Sequence, residues 1–242
     1  MSETYRNHLL ALMAPDDLAV LRPHLERMTV EKGQLLTSQA LPVTDVYFPE
    51  TAYLANVMRF SDGRTVETST VGCEGVSGLA AFLADAPCTW DVVCQIPGDV
   101  LRLNADIFQH RIETSTDLLR RALRLTHDYQ SQAAQSAACN AIHEVAPRLA
   151  RWLLLIQDRS GRDNIVLTQT DMATILGVQR TTINAAASAL RASGAIAYRR
   201  GVVSVRDRRV LEAMACECYE VQRARSIELG LIAANAIKAA GS

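Results

Sequence analysis

No stretch of the 242-residue sequence holds about 18 consecutive apolar residues, which excludes membrane-spanning helices. The opening residues, MSETYRNHLLALMAP, lack a basic segment followed by an apolar core. No secretory signal is therefore expected, and the chain is placed in the cytoplasm. There its six cysteines are expected as reduced thiols. No two of them have CxxC spacing, and Cys216-x-Cys218 is too thin for a metal site without two further ligands. The cysteines therefore read as buried or incidental, and no metal is assigned. A nucleophile motif, a phosphate-binding glycine loop and a metal-ligand set are also missing. His8 and His24 have no carboxylate pattern around them. These absences read as a non-enzyme without a cofactor.

What is present is an ordinary apolar content of 49% with 21% charged residues, in a length that suits two domains. Residues 4–28 alternate at helical spacing, through Leu9, Leu10, Leu12, Met13, Leu18, Leu21, Leu25 and Met28, with Pro15 opening a second short helix. From Thr29 short β-like runs take over: Leu35-Leu36, Val43 to Phe48, Tyr53 to Phe60, Thr65 to Val71, Trp90 to Ile96 and Val100 to Leu103. Turns at Lys32-Gly33, Ser61-Asp62-Gly63, Gly72 to Gly75 and Pro97-Gly98-Asp99 separate them. This pattern predicts a small antiparallel barrel or roll. Gly78 to Ala86 reads as one or two helical turns within it.

Helical period returns near Ala105. Leu119, Ala122, Thr126, Tyr129, Ala133, Ser136 and Asn140 recur at spacings of three and four, a heptad-like seam. Leu118 and Leu125 widen the stripe toward the roll, and flanking Arg120, Arg121, Arg124, Asp128 and Gln132 fit a self-pairing helix; one amphipathic helix packed on its own domain is the alternative. Pro147 sits in the first turn of a further helix, Arg148 to Gln157, so Cys139 to Ala146 reads as a hinge.

Residues 167–206 are the most informative stretch. Thr168 caps a helix with Asp171 in capping-box spacing, and Gly177 ends it. A second helix runs from about Gln179 to Ser193. Ile196 to Tyr198, the turn Arg199-Arg200-Gly201 and the return strand Val202 to Val205 complete the order of a winged helix-turn-helix, whose second helix enters the major groove. Seven arginines against Asp171 and Asp207 give residues 167–209 a charge of +5, whereas the whole chain is −1, leaving −6 elsewhere. Such a basic island attracts phosphate. Beyond it, Arg209 to Ser226 and Ile227 to Ala240 read as two more helices.

A β-roll, a long helix and a C-terminal winged helix-turn-helix, in that order, resemble the cyclic AMP receptor protein/fumarate-nitrate regulator (Crp/Fnr) family. Val46-Tyr47-Phe48-Pro49, Asp62-Gly63-Arg64, Arg148-Leu149-Ala150-Arg151-Trp152-Leu153-Leu154, Leu167-Thr168-Gln169 and Leu176-Gly177-Val178-Gln179-Arg180 carry the resemblance. It implies an α+β chain. A cyclic-nucleotide-binding-like roll with N-terminal helices spans 1–112, a dimerisation helix and hinge 113–142, the winged unit 143–215 and a helical extension 216–242. It further implies a homodimeric transcriptional regulator on a near-palindromic operator in double-stranded DNA, with RNA polymerase as a partner if it activates. Leu119, Ala122, Thr126, Tyr129 and Ala133 would form the dimer seam.

The resemblance places the effector pocket at Glu74, Gly75, Val76, Ser77, Cys88 and Thr89. In nucleotide-binding members a Glu of this run takes the ribose hydroxyl, and an Arg about ten residues on pairs with the cyclic phosphate. Val76 and Cys88 stand at those places, and neither offers such a contact. Cyclic AMP is therefore not expected to bind in the usual way, and the effector stays open. The N-terminal cysteine cluster of iron–sulfur members is missing, since the first cysteine is Cys73.

For DNA, Thr168, Gln169, Arg199 and Arg200 are the phosphate candidates, and Gln179, Arg180, Thr181, Thr182 and Asn184 the base-reading ones. The family's run Arg-Glu-Thr-Val-(Gly/Ser)-Arg is here Arg180-Thr181-Thr182-Ile183-Asn184-Ala185, so the usual operator is not implied. An effector-binding module whose winged unit mediates protein contacts is the competing reading, and the basic island argues against it.

Overall fold

The computed structural model describes residues 4–79 and 83–232. Two short helices, α1 (His8–Ala11) and α2 (Pro15–Leu21), open the chain, with Pro15 at the helix start where its missing N–H costs nothing. The helical pattern ends at His24, after a 3₁₀ turn Arg22–His24. Met28, expected to continue it, lies instead in β1 (Glu26–Val30), because that segment pairs along its length with β7 (Gly98–Asn104). Long-range pairing overrides the local period here.

The roll has two antiparallel sheets. One has the order β1-β7-β3, with β3 at Asp45–Pro49. The other contains β2 (Leu35–Thr37), β4 (Tyr53–Arg59), β5 (Thr65–Val71) and β6 (Asp91–Ile96), in the order β2-β6-β4-β5. Asp62-Gly63 forms the tip of the β4–β5 hairpin, where Gly63 has φ +83°. Val30, Leu54, Val71, Val92, Cys94 and Val100 fill the space between the sheets. At the β6–β7 corner a Cβ on Gly98 would lie 2.6 Å from Ala52 N and from Thr51 C, so only glycine permits this approach of backbones.

The following helical stretch is two helices, α3 (Ala105–Thr114) and the 27-residue α4 (Thr116–Ile142). Ser115 separates them: its hydroxyl caps α4 through Leu118 N–H and donates to Asp17. Leu118, Ala122 and Leu125 of α4 are buried in the roll with Leu10, Phe48 and Phe108. The Tyr129 hydroxyl bonds both the N–H and the C=O of Val76, at 3.0 and 3.1 Å.

These contacts shift the expected seam. Ala122 and Tyr129 are occupied within their own chain and cannot face a partner. Leu119 and Leu123 are exposed, with Ala133 and Ala137 following on the same side at heptad-like spacing and Thr126 at its edge. The packed stripe and the open stripe lie next to each other on α4, and only the position of the roll decides which is which.

α5 (Val145–Ser160) starts two residues before Pro147 and ends on left-handed Gly161. It is the hub of the molecule. Trp152 packs edge-on against Tyr53, with ring centroids 6.4 Å apart. Arg159 reaches Glu74 at 3.1 Å, Thr70 at 2.6 Å and Gln132 at 2.8 Å, and lies over the Tyr53 ring. One buried guanidinium thus ties α5 to β5, to the loop after it and to α4.

The C-terminal unit comprises β8 (Asn164–Val166), α6 (Gln169–Leu176), α7 (Arg180–Ala192), β9 (Ile196–Arg199), β10 (Val202–Val205), α8 (Arg208–Met214) and α9 (Cys218–Glu228). Its sheet order is β8-β10-β9. Leu149, Leu153, Ile165, Met172, Ile183 and Leu190 share one core with Tyr53 and Ile96 of the roll. The run Arg209 to Ser226, expected as one helix, is broken at 215–217. The expected helices Gly78 to Ala86 and Ile227 to Ala240 fall partly outside the described residues, although α9 itself ends at Glu228. No helix among the described residues is long and apolar enough to cross a membrane.

Candidate nucleic-acid interface and effector cavity

Local chemistry builds the helix-turn-helix. The Thr168 hydroxyl accepts from Asp171 N–H at 3.1 Å while the Asp171 carboxylate accepts from Thr168 N–H at 2.8 Å, a reciprocal capping box. Burial pushes the Asp171 carboxyl up, but the Lys32 ammonium at 2.7 Å and the Thr168 donors outweigh it and hold it below the usual carboxylate range. Gly177, at φ +63°, closes α6 and turns the chain into α7, whose N-cap is Gln179.

The two faces of α7 separate cleanly. Ile183, Ala186, Ala187 and Leu190 are buried against α5 and α6. Gln179, Arg180, Thr181, Thr182 and Asn184 are exposed along the first two turns. The Arg180 Nε donates to Gln169 Oε1 at 3.1 Å, which joins the start of α6 to the start of α7. Thr168 is exposed and Gln169 half-buried.

The wing is a two-residue hairpin: Arg199 pairs with Val202, and Arg200 (φ +51°) and Gly201 (φ +78°) form the turn. Both wing-tip arginines point outward. Arg191, Arg206 and Arg209 are exposed as well, and among the described residues no carboxylate pairs with any of these five. Arg208 is the exception in the basic island. It is held inside by Asp158 at 2.8 Å, Glu212 at 2.8 Å and the Tyr219 hydroxyl, so the solvent-facing charge is smaller than the sequence count.

The expected effector residues do not converge. Glu74 pairs with Arg159 and accepts from Gly72 N–H. The Ser77 hydroxyl accepts from Tyr47 N–H at 3.1 Å, and the Gly75 carbonyl accepts from Asn7 at 2.7 Å. Cys88 is buried, its N–H and C=O taken by Leu41 and Ala40. Only Val76 and Thr89 reach a cavity of about 460 Å³ between the second sheet and α4. Asn56, Thr68, Ser69, Trp90, Thr126 and Tyr129 are among its other walls, and no described wall residue carries a charge. Sequence reasoning missed Thr126 and Tyr129 as wall residues, because it assigned them to a seam.

Residues 147–214 match the family described as the Crp-like helix-turn-helix domain. Among solved structures the chain is similar to FixK2 from Bradyrhizobium japonicum, with a TM-score of 0.66 at 18% identity over 79% of this chain and 98% of that one. It is similar to a transcriptional regulator of the Crp/Fnr family from Eubacterium rectale, with a TM-score of 0.64 at 16% identity over 85% and 96%. A CRP-family regulator from Thermus thermophilus gives 0.62 at 18% identity over 78% and 96%. At these identities the likeness establishes the fold. No curated protein matches the chain in sequence.

Proposed function

Taking the chain as a regulator of the Crp/Fnr type, with that family's fold and its DNA-binding domain at residues 147–214, we propose that it binds a near-palindromic operator in double-stranded DNA as a homodimer. The observation that carries this reading is the exposed edge of α7, Gln179 to Asn184, set beside an arginine-tipped wing. Each α7 enters a major groove, where Arg180 reads guanine by a bidentate contact and Gln179 or Asn184 reads adenine. Thr181 and Thr182 add contacts to base edges. Thr168, Gln169, Arg199 and Arg200 take phosphates and set the register. The open stripe of α4 pairs the two copies, and the division at 112/113, 142/143 and 215/216 separates sensing, pairing and DNA-reading parts. RNA polymerase is a further partner if the protein activates.

The input differs from cyclic AMP. Val76 offers the cavity no acceptor from its side chain, and the described walls offer no cation for a cyclic phosphate. An uncharged or weakly polar molecule fits this lining better. Calorimetry with cyclic AMP is expected to show no binding tighter than about 10 µM, near 7 kcal/mol; tighter binding overturns this part.

Selection of bound sites from random DNA, with and without cell extract, tests the main reading. A two-fold-symmetric consensus is expected. Retention of DNA without any consensus, lost alike on all fragments when salt is raised, removes sequence-specific reading.

A further inference from the structure

Two short motifs of no use to DNA binding meet at the joint between the halves. Cys139 and His143 stand four residues apart on one face at the end of α4, with His143 as its C-cap residue. Cys216 and Cys218 come from the break between α8 and α9, Cys218 being the first residue of α9. The four ligand atoms lie within 4.8 Å of one another. Cys139, Cys216 and Cys218 are buried and form a cluster of their own, apart from the three apolar cores.

We infer that these residues form a closed, tetrahedral Cys₃His site for Zn²⁺. The edge lengths support this. Bonds of about 2.3 Å to sulfur and 2.0–2.1 Å to nitrogen place tetrahedral ligands about 3.8 Å apart for S···S and about 3.6 Å for S···N. Cys139 Sγ and Cys216 Sγ are 3.6 Å apart, and Cys218 Sγ and His143 Nδ1 are 3.6 Å apart. The sulfur separation is far beyond the roughly 2.05 Å of a disulfide.

The surroundings are those of a metal site as well. His143 presents Nδ1 to the cluster, while Nε2 faces the Glu217 carboxylate at 3.1 Å, the outer partner that orients a ligating imidazole. Gln135 Nε2 donates to Cys218 Sγ at 3.0 Å, an outer hydrogen bond to a ligand atom. Three soft sulfurs and one imidazole select Zn²⁺ over harder ions. Four protein ligands leave no open position, so the role is structural: the ion pins the end of α4 to the α8–α9 junction and sets the bend into α5. The thiols release their protons as the ion binds.

Cobalt substitution on the full chain, purified under reducing conditions and freed of metal with a chelator, tests the site. About one Co²⁺ per chain is expected, with thiolate charge-transfer bands and the strong visible bands of tetrahedral coordination, both abolished by one equivalent of Zn²⁺. Cys218→Ser and His143→Gln should each lower zinc affinity at least about 10-fold, the order seen when ligation is disturbed. Cys94→Ser, in the roll, should retain full uptake. His143 is only half-buried, so that variant tests the site even if Cys218→Ser fails to fold. Weak octahedral cobalt bands, uptake unchanged in both ligand variants, or a Cys139–Cys216 disulfide forming with no metal uptake would overturn the site.

Discussion

Arg180 stands at the point where two candidate roles meet. Its guanidinium is tethered to Gln169 at the start of α6, yet it leads the exposed edge of α7. Arg180→Ala should weaken specific binding by about 1–3 kcal/mol and leave random DNA little changed, as titrations of both DNAs would show. Equal loss on both reassigns it to phosphate. Arg199→Ala should instead lower the slope of log K against log salt by about one. A different residue-scale effect lies at Glu67. Burial pushes its carboxyl up to about 7, against the pull of hydrogen bonds from Gln95 and Trp152. Between about pH 4.5 and 7 the folded chain holds a proton that the unfolded chain has lost, so stability falls as pH rises through that window. Glu67→Gln should flatten this slope and stabilise the protein above pH 7 by about 1 kcal/mol, a discounted figure because the residue is only half-buried. Urea unfolding at pH 5 and pH 8 measures it.

At the scale of elements, α4 shows what a periodic pattern conveys. The three-and-four spacing from Leu119 to Asn140 predicts an apolar face, and a 27-residue helix with such a face is present. The pattern points Leu118 and Leu125 toward the roll, but it does not say that Ala122 and Tyr129 join them there, since small and apolar residues occur on both stripes. Ala122 is enclosed by the roll, while Leu123, one residue on, is 54% exposed. If the proposed homodimer pairs through this open stripe, Leu123→Lys should yield monomers in analytical ultracentrifugation with little loss of thermal stability. A dimer of unchanged strength would move the pairing face elsewhere. The helix-turn-helix was legible because its signals are local: a capping box, a left-handed glycine, a two-residue arginine–glycine turn. The strand β1 was not, because its partner lies about seventy residues away and its own residues suit a helix as well.

For the whole molecule, Arg159 decides how the roll and the winged unit sit on each other. Its charge is enclosed, with Glu74 as its carboxylate partner. Glu74→Gln leaves a buried guanidinium uncompensated and should cost about 3–5 kcal/mol, seen as a lowered melting temperature and a lowered urea midpoint. Near-neutral behaviour would mean that solvent reaches the pair. The Lys32–Asp171 contact joins the same halves at the surface, but both side chains are partly exposed, so its own contribution is small.

The sequence by itself determined the order of parts, the winged helix-turn-helix, the exposed edge of its second helix and the lack of a carboxylate at Val76 and of a cation at Cys88. Each follows from short-range periodicity, capping and turn chemistry, or from a side chain's own functional groups. Tertiary structure alone decided which stripe of α4 remains open, that Arg208 is spent on internal pairs, and that Glu74 serves Arg159 instead of the cavity. It also brought Cys139 and His143 to Cys216 and Cys218, supplying the two further ligands that Cys216-x-Cys218 lacks in the sequence. The physical reason is distance along the chain: the deciding contacts, such as Arg208 with Asp158 and Cys139 with Cys216, join residues some fifty or more positions apart, and no local pattern encodes that.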